Sequence, residues 1–102
     1  MNRRILLDDL LRDLIGPNVH LYFQPPESKK LEYDCVVYSL SRKHASHADN
    51  KPYRKTDQYM ITVITEDPDS TLPDKFLNLP MCRCDRTFKS GNMNHTVFTL
   101  FF

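Results

Sequence analysis

Gln58-Tyr59-Met60-Ile61-Thr62-Val63-Ile64-Thr65 is the stretch on which the fold turns. β-Branched and aromatic side chains dominate it, and no glycine, proline or charge interrupts it. Alternation along an extended chain puts Tyr59, Ile61 and Val63 on one face and Met60, Thr62 and Ile64 on the other. Both faces are substantially apolar, which predicts a strand at the centre of a sheet.

Upstream, Tyr33-Asp34-Cys35-Val36-Val37-Tyr38-Ser39-Leu40 reads as a second strand on the same grounds. Residues 41–56 between the two are polar, basic and interrupted by Asn50-Lys51-Pro52. They fit either a loop or the tip of a long hairpin whose arms leave the core. Further upstream, Val19-His20-Leu21-Tyr22-Phe23 is a short extended run closed by Pro25-Pro26, which cannot continue a ladder. Leu7, Leu10, Leu11 and Leu14 recur at helical spacing, with Ile5, Leu6 and Ile15 widening the stripe. Gly16-Pro17 stops that helix, so its span is 3–15.

Downstream, Glu66-Asp67-Pro68-Asp69-Ser70 is a turn. Thr71 stands at an N-cap position, Pro73 and Asp74 follow, and a short helix over about 72–78 offers Leu72, Phe76 and Leu79 to the core. Strands are predicted over 81–88 and 96–102, with turn chemistry from Lys89 to Asn94. Val97-Phe98-Thr99-Leu100-Phe101-Phe102 is apolar enough that it must be buried in the sheet or against a neighbouring subunit. The order α-β-β-β-α-β-β specifies an α+β domain with a mostly antiparallel sheet of four to five strands.

A chain of 102 residues holds one domain, 1–102, and one modest core. With 40% apolar and 26% charged residues its composition is that of a globular protein. No apolar run spans a bilayer, and the N-terminus meets Asp8 and Asp9 before any signal-peptide stretch, which predicts an intracellular protein without a membrane partner. A net charge of +1 argues against a dedicated nucleic-acid binder. The charge is nevertheless segregated. Residues 41–56 carry Arg42, Lys43, Lys51, Arg54 and Lys55 against Asp49, whereas residues 57–80 carry Asp57, Glu66, Asp67, Asp69 and Asp74 against Lys75.

Signs of chemistry are thin. Glycine occurs only at 16 and 91, which excludes a P-loop and a dinucleotide fingerprint. Cys35, Cys82 and Cys84 read as ordinary thiols, and Cys82-Arg83-Cys84 lacks the second pair that a zinc site needs. His44 and His47 read as solvated loop residues, His95 as part of the last turn. A Cys–His pair from Cys82 or Cys84 with His95 can be drawn, but adjacency in sequence carries no geometry. Asp67 and Asp69 suit a turn better than acid–base work. Tyr33, Tyr38, Tyr53 and Tyr59 fit core or interface positions better than base stacking. No catalytic residue, metal ligand or cofactor site is expected, and the chain does not read as an enzyme.

Five segments together resemble a known family: Val19-His20-Leu21-Tyr22-Phe23-Gln24-Pro25-Pro26, Tyr33-Asp34-Cys35-Val36-Val37-Tyr38, Ala48-Asp49-Asn50-Lys51-Pro52-Tyr53, Val63-Ile64-Thr65-Glu66-Asp67-Pro68-Asp69-Ser70 and Asn94-His95-Thr96-Val97-Phe98. They are similar to the tail terminator, tail completion or head–tail connector proteins of tailed bacteriophages, over nearly the whole chain. The resemblance implies a virion structural protein made in the host bacterial cytoplasm. It implies a hexameric ring that ends the tail tube and presents the surface to which the head joins. The implied partners are the chain itself, the tail tube protein, a head-completion or connector protein, and packaged DNA passing through the lumen without tight binding.

A ring needs two different, complementary surfaces per subunit. The segregated charge offers them, so the candidate inter-subunit or tube contacts are Arg42, Lys43, Lys51, Tyr53, Arg54 and Lys55 on one side. Asp67, Asp69 and Asp74 stand on the other. The alternatives are another neck connector, or a small monomeric nucleic-acid-associated module using the 41–56 arm.

Overall fold

The computed structural model describes the backbone of residues 3–48 and 51–102 and the side chains of residues 4–42 and 57–102. Helix α1 (Arg3–Ile15) ends where Gly16 takes φ +83° and its N–H closes on the Arg12 carbonyl at 3.1 Å. Five strands follow around a second helix: β1 (His20–Phe23), β2 (Cys35–Ala48), β3 (Lys51–Thr65), α2 (Leu72–Leu77), β4 (Cys82–Ser90) and β5 (Met93–Phe101).

They form one sheet in the order β1-β2-β3-β5-β4, with β3 at the centre as its two apolar faces require. β1 runs parallel to β2, and every other pairing is antiparallel. β1 stops at Gln24, whose side-chain Oε1 accepts the Leu40 N–H at 3.0 Å and extends the ladder by one bond before Pro25-Pro26.

Both helices lie on one face. Leu7, Leu11 and Ile15 of α1, with Leu72 and Phe76 of α2, pack onto Val36, Tyr38, Tyr59, Ile61, Val63, Phe98 and Leu100. The α1 stripe is narrower than its leucine spacing suggests: Ile5, Leu6 and Leu10 are 45%, 40% and 38% exposed. The Leu7–Leu11–Ile15 line is the buried one, with Leu14 partly buried against the same core. Beside it Asp8 accepts hydrogen bonds from Tyr38 Oη (2.7 Å) and Arg12 Nε (2.5 Å), tying helix to strand.

The apolar C-terminal run is buried as expected. Val97, Phe98, Thr99 and Leu100 lie in β5, flanked by β3 and β4. The last two strands join at Gly91-Asn92, both at positive φ, in a two-residue turn tighter than the 89–94 span expected from sequence. Thr71 makes no side-chain cap on α2. Ser70 Oγ accepts the Leu72 N–H instead, at 3.2 Å.

Candidate functional site

β2 and β3 outrun the rest of the sheet. β1 leaves β2 at the Phe23–Tyr38 pair, and β5 leaves β3 at Phe101–Gln58. Asp57 still exchanges two backbone hydrogen bonds with Phe102, each at 3.0 Å. From His44–Thr56 to Ala48–Lys51 the two strands pair with each other beyond the rest of the sheet. Residues 41–48 and 51–56 are therefore not loop but the arms of a two-stranded ribbon. At 3.3–3.4 Å per residue it reaches about 20 Å beyond the sheet. The 50 × 25 × 24 Å outline of the molecule reflects it. Arg42 is exposed at the ribbon's base. Side chains of Lys43, Lys51, Tyr53, Arg54 and Lys55, with His44 and His47, lie outside the described residues, as do Asp49 and Asn50 altogether.

The acidic candidates stand at the far end of the same strand. Glu66 follows the last residue of β3, and its N–H donates to Asp34 Oδ1 at 3.0 Å. Asp67 holds the turn: its Oδ1 accepts the Asp69 N–H at 2.9 Å, and its carbonyl accepts Thr65 Oγ1 at 3.2 Å. Asn94 Nδ2 donates to the Thr65 and Glu66 carbonyls, each at 3.4 Å. Glu66 and Asp69 are exposed there, and Asp74 is exposed in the first turn of α2. Lys89, paired across β5 from Asn94, is a cation at this end. Asp57 pairs with Lys43 at the base of the ribbon, but Glu66, Asp67 and Asp69 stand at the other end of β3 from the basic ribbon.

Searches against models of known families, curated proteins and solved structures each find no match to the chain.

His95 is not part of the turn but sits within β5, its Nδ1 3.3 Å from the Met93 carbonyl. Register puts it on the face opposite Cys82 and Cys84, so the Cys–His pair does not form. Among the described residues no three His, Cys, Asp or Glu side chains converge. No helix there is long and apolar enough to cross a membrane.

Burial, aided by the Asp34 charge, pushes the Cys35 thiol up to about 11. Burial, with Cys84 and Asp85 nearby, does the same for Cys82. Cys84 is exposed. A disulfide reagent applied to the native protein should therefore modify Cys84 first, and Cys35 only on unfolding, because the thiolate is the reacting species. Mass mapping of time points checks this, and early modification of Cys35 would contradict its burial.

Burial raises the pKa of Asp8, but hydrogen bonds from Tyr38 and Arg12 and the charges of Arg12 and Arg4 outweigh it, leaving the carboxyl below its usual range. Burial and the Asp8 bond push Tyr38 up to about 12, so its hydroxyl stays a donor. A depressed carboxyl contributes stability above its unfolded value, about 3.9, and loses it as pH falls through the lower folded value. Asp8→Asn should accordingly flatten the acid limb of a plot of Tm against pH below about pH 4. An unchanged slope would place the acid sensitivity elsewhere.

The face of the sheet away from the helices holds residues that sequence alternation misassigns. β4 carries an extra residue, Asp85, where its register against β5 shifts between Cys84 and Arg86. That bulge moves Arg86 and Phe88 to the face opposite Cys82 and Cys84. Phe88 stacks on His95 at 4.8 Å and 11°, and the Arg86 guanidinium lies 5.4 Å from the Phe88 ring centre.

Proposed function

We propose that this chain is a virion structural protein that forms a ring at the head-proximal end of a phage tail. The ring ends the tail tube and offers the surface to which the head joins. One observation carries most weight beside the sequence resemblance: a basic-sequence ribbon leaves the core at one end of β3, and the acidic turn closes the other end. A subunit with unlike ends makes head-to-tail contacts, and such contacts close into rings when the rotation per subunit allows. The ribbon of one subunit reaches the acidic end of the next or the tube beneath, and opposite charge fixes the register. Partners in this reading are further copies of the chain, the tube protein, a head-side connector and DNA in transit through the lumen.

Native mass spectrometry over a concentration series, with and without assembled tail tubes, tests the assignment. A hexamer, free or seated on tube ends, is the expected result. A monomer at every concentration that ignores tubes would overturn it.

A further inference from the structure

Beyond assembly, the helix-free face of the sheet has the make-up of a platform for unpaired bases. Its two edges carry stacked rings, and the register joins them in continuous rows. Phe88, His95, Ile64, Cys35 and His20 form one row from β4 to β1. Arg86, Val97, Thr62, Val37 and Tyr22 form the next.

At the β4 edge stand Phe88 and His95 with Arg86 against them. At the β1 edge His20 stacks on Tyr22 (6.4 Å, 22°), and Lys29 Nζ lies 5.7 Å from the Tyr22 ring. Four strand spacings separate the edges, about 19 Å. Between them Val97, Ile64 and Cys35 are 4%, 6% and 0% exposed, so the rings open to a ligand are those at the edges.

Phe88 is 43% exposed, a large ring left in water on a face with no helix. Arg83 and Arg86 of β4 share that face and are exposed around it. The carboxylate among them, Asp85, is occupied by Arg83 Nε at 3.3 Å and by the Thr99 hydroxyl. At the β1 edge Glu32 is occupied by His20, 3.2 Å away. The face therefore offers aromatic and guanidinium planes together with positive charge. Stacked rings recognise bases whose faces are free, and cations recognise phosphates; a base-paired duplex presents only the phosphates.

We propose that this face binds single-stranded nucleic acid, with bases stacking on the Arg86–Phe88–His95 group and phosphates held by Arg83 and Arg86. The site is separate from the ribbon, and it stands or falls independently of ring formation. Two cations allow only a weak, salt-sensitive contact, with a slope of about −1.4 in log K against log salt.

Fluorescence anisotropy of labelled oligo(dT), and of the same strand paired with oligo(dA), tests it on the full chain without tail tubes. Oligo(dT) should bind more tightly than the duplex. Phe88→Ala should weaken oligo(dT) by about tenfold. Phe88→Tyr keeps the ring and should retain binding, and it guards against a folding defect. Arg83→Glu with Arg86→Glu should reduce the salt slope. Equal affinity for duplex and single strand, or binding unchanged by Phe88→Ala but lost on reversing Lys51, Arg54 and Lys55, would overturn the assignment. So would the absence of binding at low salt.

Discussion

Replacing Lys51, Arg54 and Lys55 together by glutamate is expected to abolish ring formation while leaving the subunit folded. Each reversal changes the charge by two, so the formal net charge falls from +1 to −5. The ribbon would then bear the sign of the Glu66–Asp69 turn it is proposed to meet. Like charges held together at an interface cost several kcal/mol, enough to erase most of a weak subunit contact. Among the described side chains the core cluster is built by α1, α2, β5 and the inner parts of β2 and β3.

The measurement is native mass spectrometry with tail tubes, paired with a thermal melt by circular dichroism. Loss of the hexamer with an unchanged melt is the expected pair of results. Undiminished assembly would remove ribbon charge from the contact. Adding Asp69→Lys and Asp74→Lys to the reversed ribbon should restore assembly, because that juxtaposition is again of unlike charges.

Phe76→Ala is expected to unfold a large fraction of the protein. Phe76 is fully buried, and its ring lies 5.4 Å from that of Phe98 at 28°. It and Leu72 are the two residues by which the six-residue α2 is buried. Emptying such a site costs about 3–5 kcal/mol, against a total of about 5–15 kcal/mol for a domain of this size. At about 4–8 °C per kcal/mol the melting temperature should drop by roughly 15–30 °C. Leu77→Ala, one residue further along and 55% exposed, should shift it little. A melt of Phe76→Ala within a few degrees of the parent would show that α2 contributes little to the core.

Much of the fold could be read from local signals because the responsible residues lie next to each other. Gly16-Pro17 ends α1, Pro25-Pro26 ends β1, and the β-branched run 58–65 belongs at the centre of the sheet. What was illegible depends on residues distant in sequence or on a count of one. The Asp8–Tyr38 bond joins positions thirty apart. The 41–56 ribbon has the polar composition of a loop, and only pairing of its two arms distinguishes it. Asp85 adds one residue to β4 and so moves Phe88 to the other face, where it meets His95. Strict alternation cannot anticipate that slip, and the most suggestive group on the helix-free face was missed through it. Of the candidate contacts, the acidic set falls at one pole, with Asp67 spent on its own turn. The basic set belongs to the ribbon at the other.

The place of β5 has a bearing on how the chain acquires its structure during synthesis. β5 is made after the other four strands, yet it is an inner one, filling the gap between β3 and β4. Until it emerges, β4 has no partner strand and one long side of β3 is unpaired. Closure therefore joins segments far apart along the chain, as when Gln58 meets Phe101. Such long-range joining slows folding. The nascent subunit passes through a stage with an open, apolar strand edge, the condition under which chains associate wrongly. For the proposed ring, which takes several copies of the chain at one place, chaperone supply at that stage would govern yield more than the stability of the finished domain.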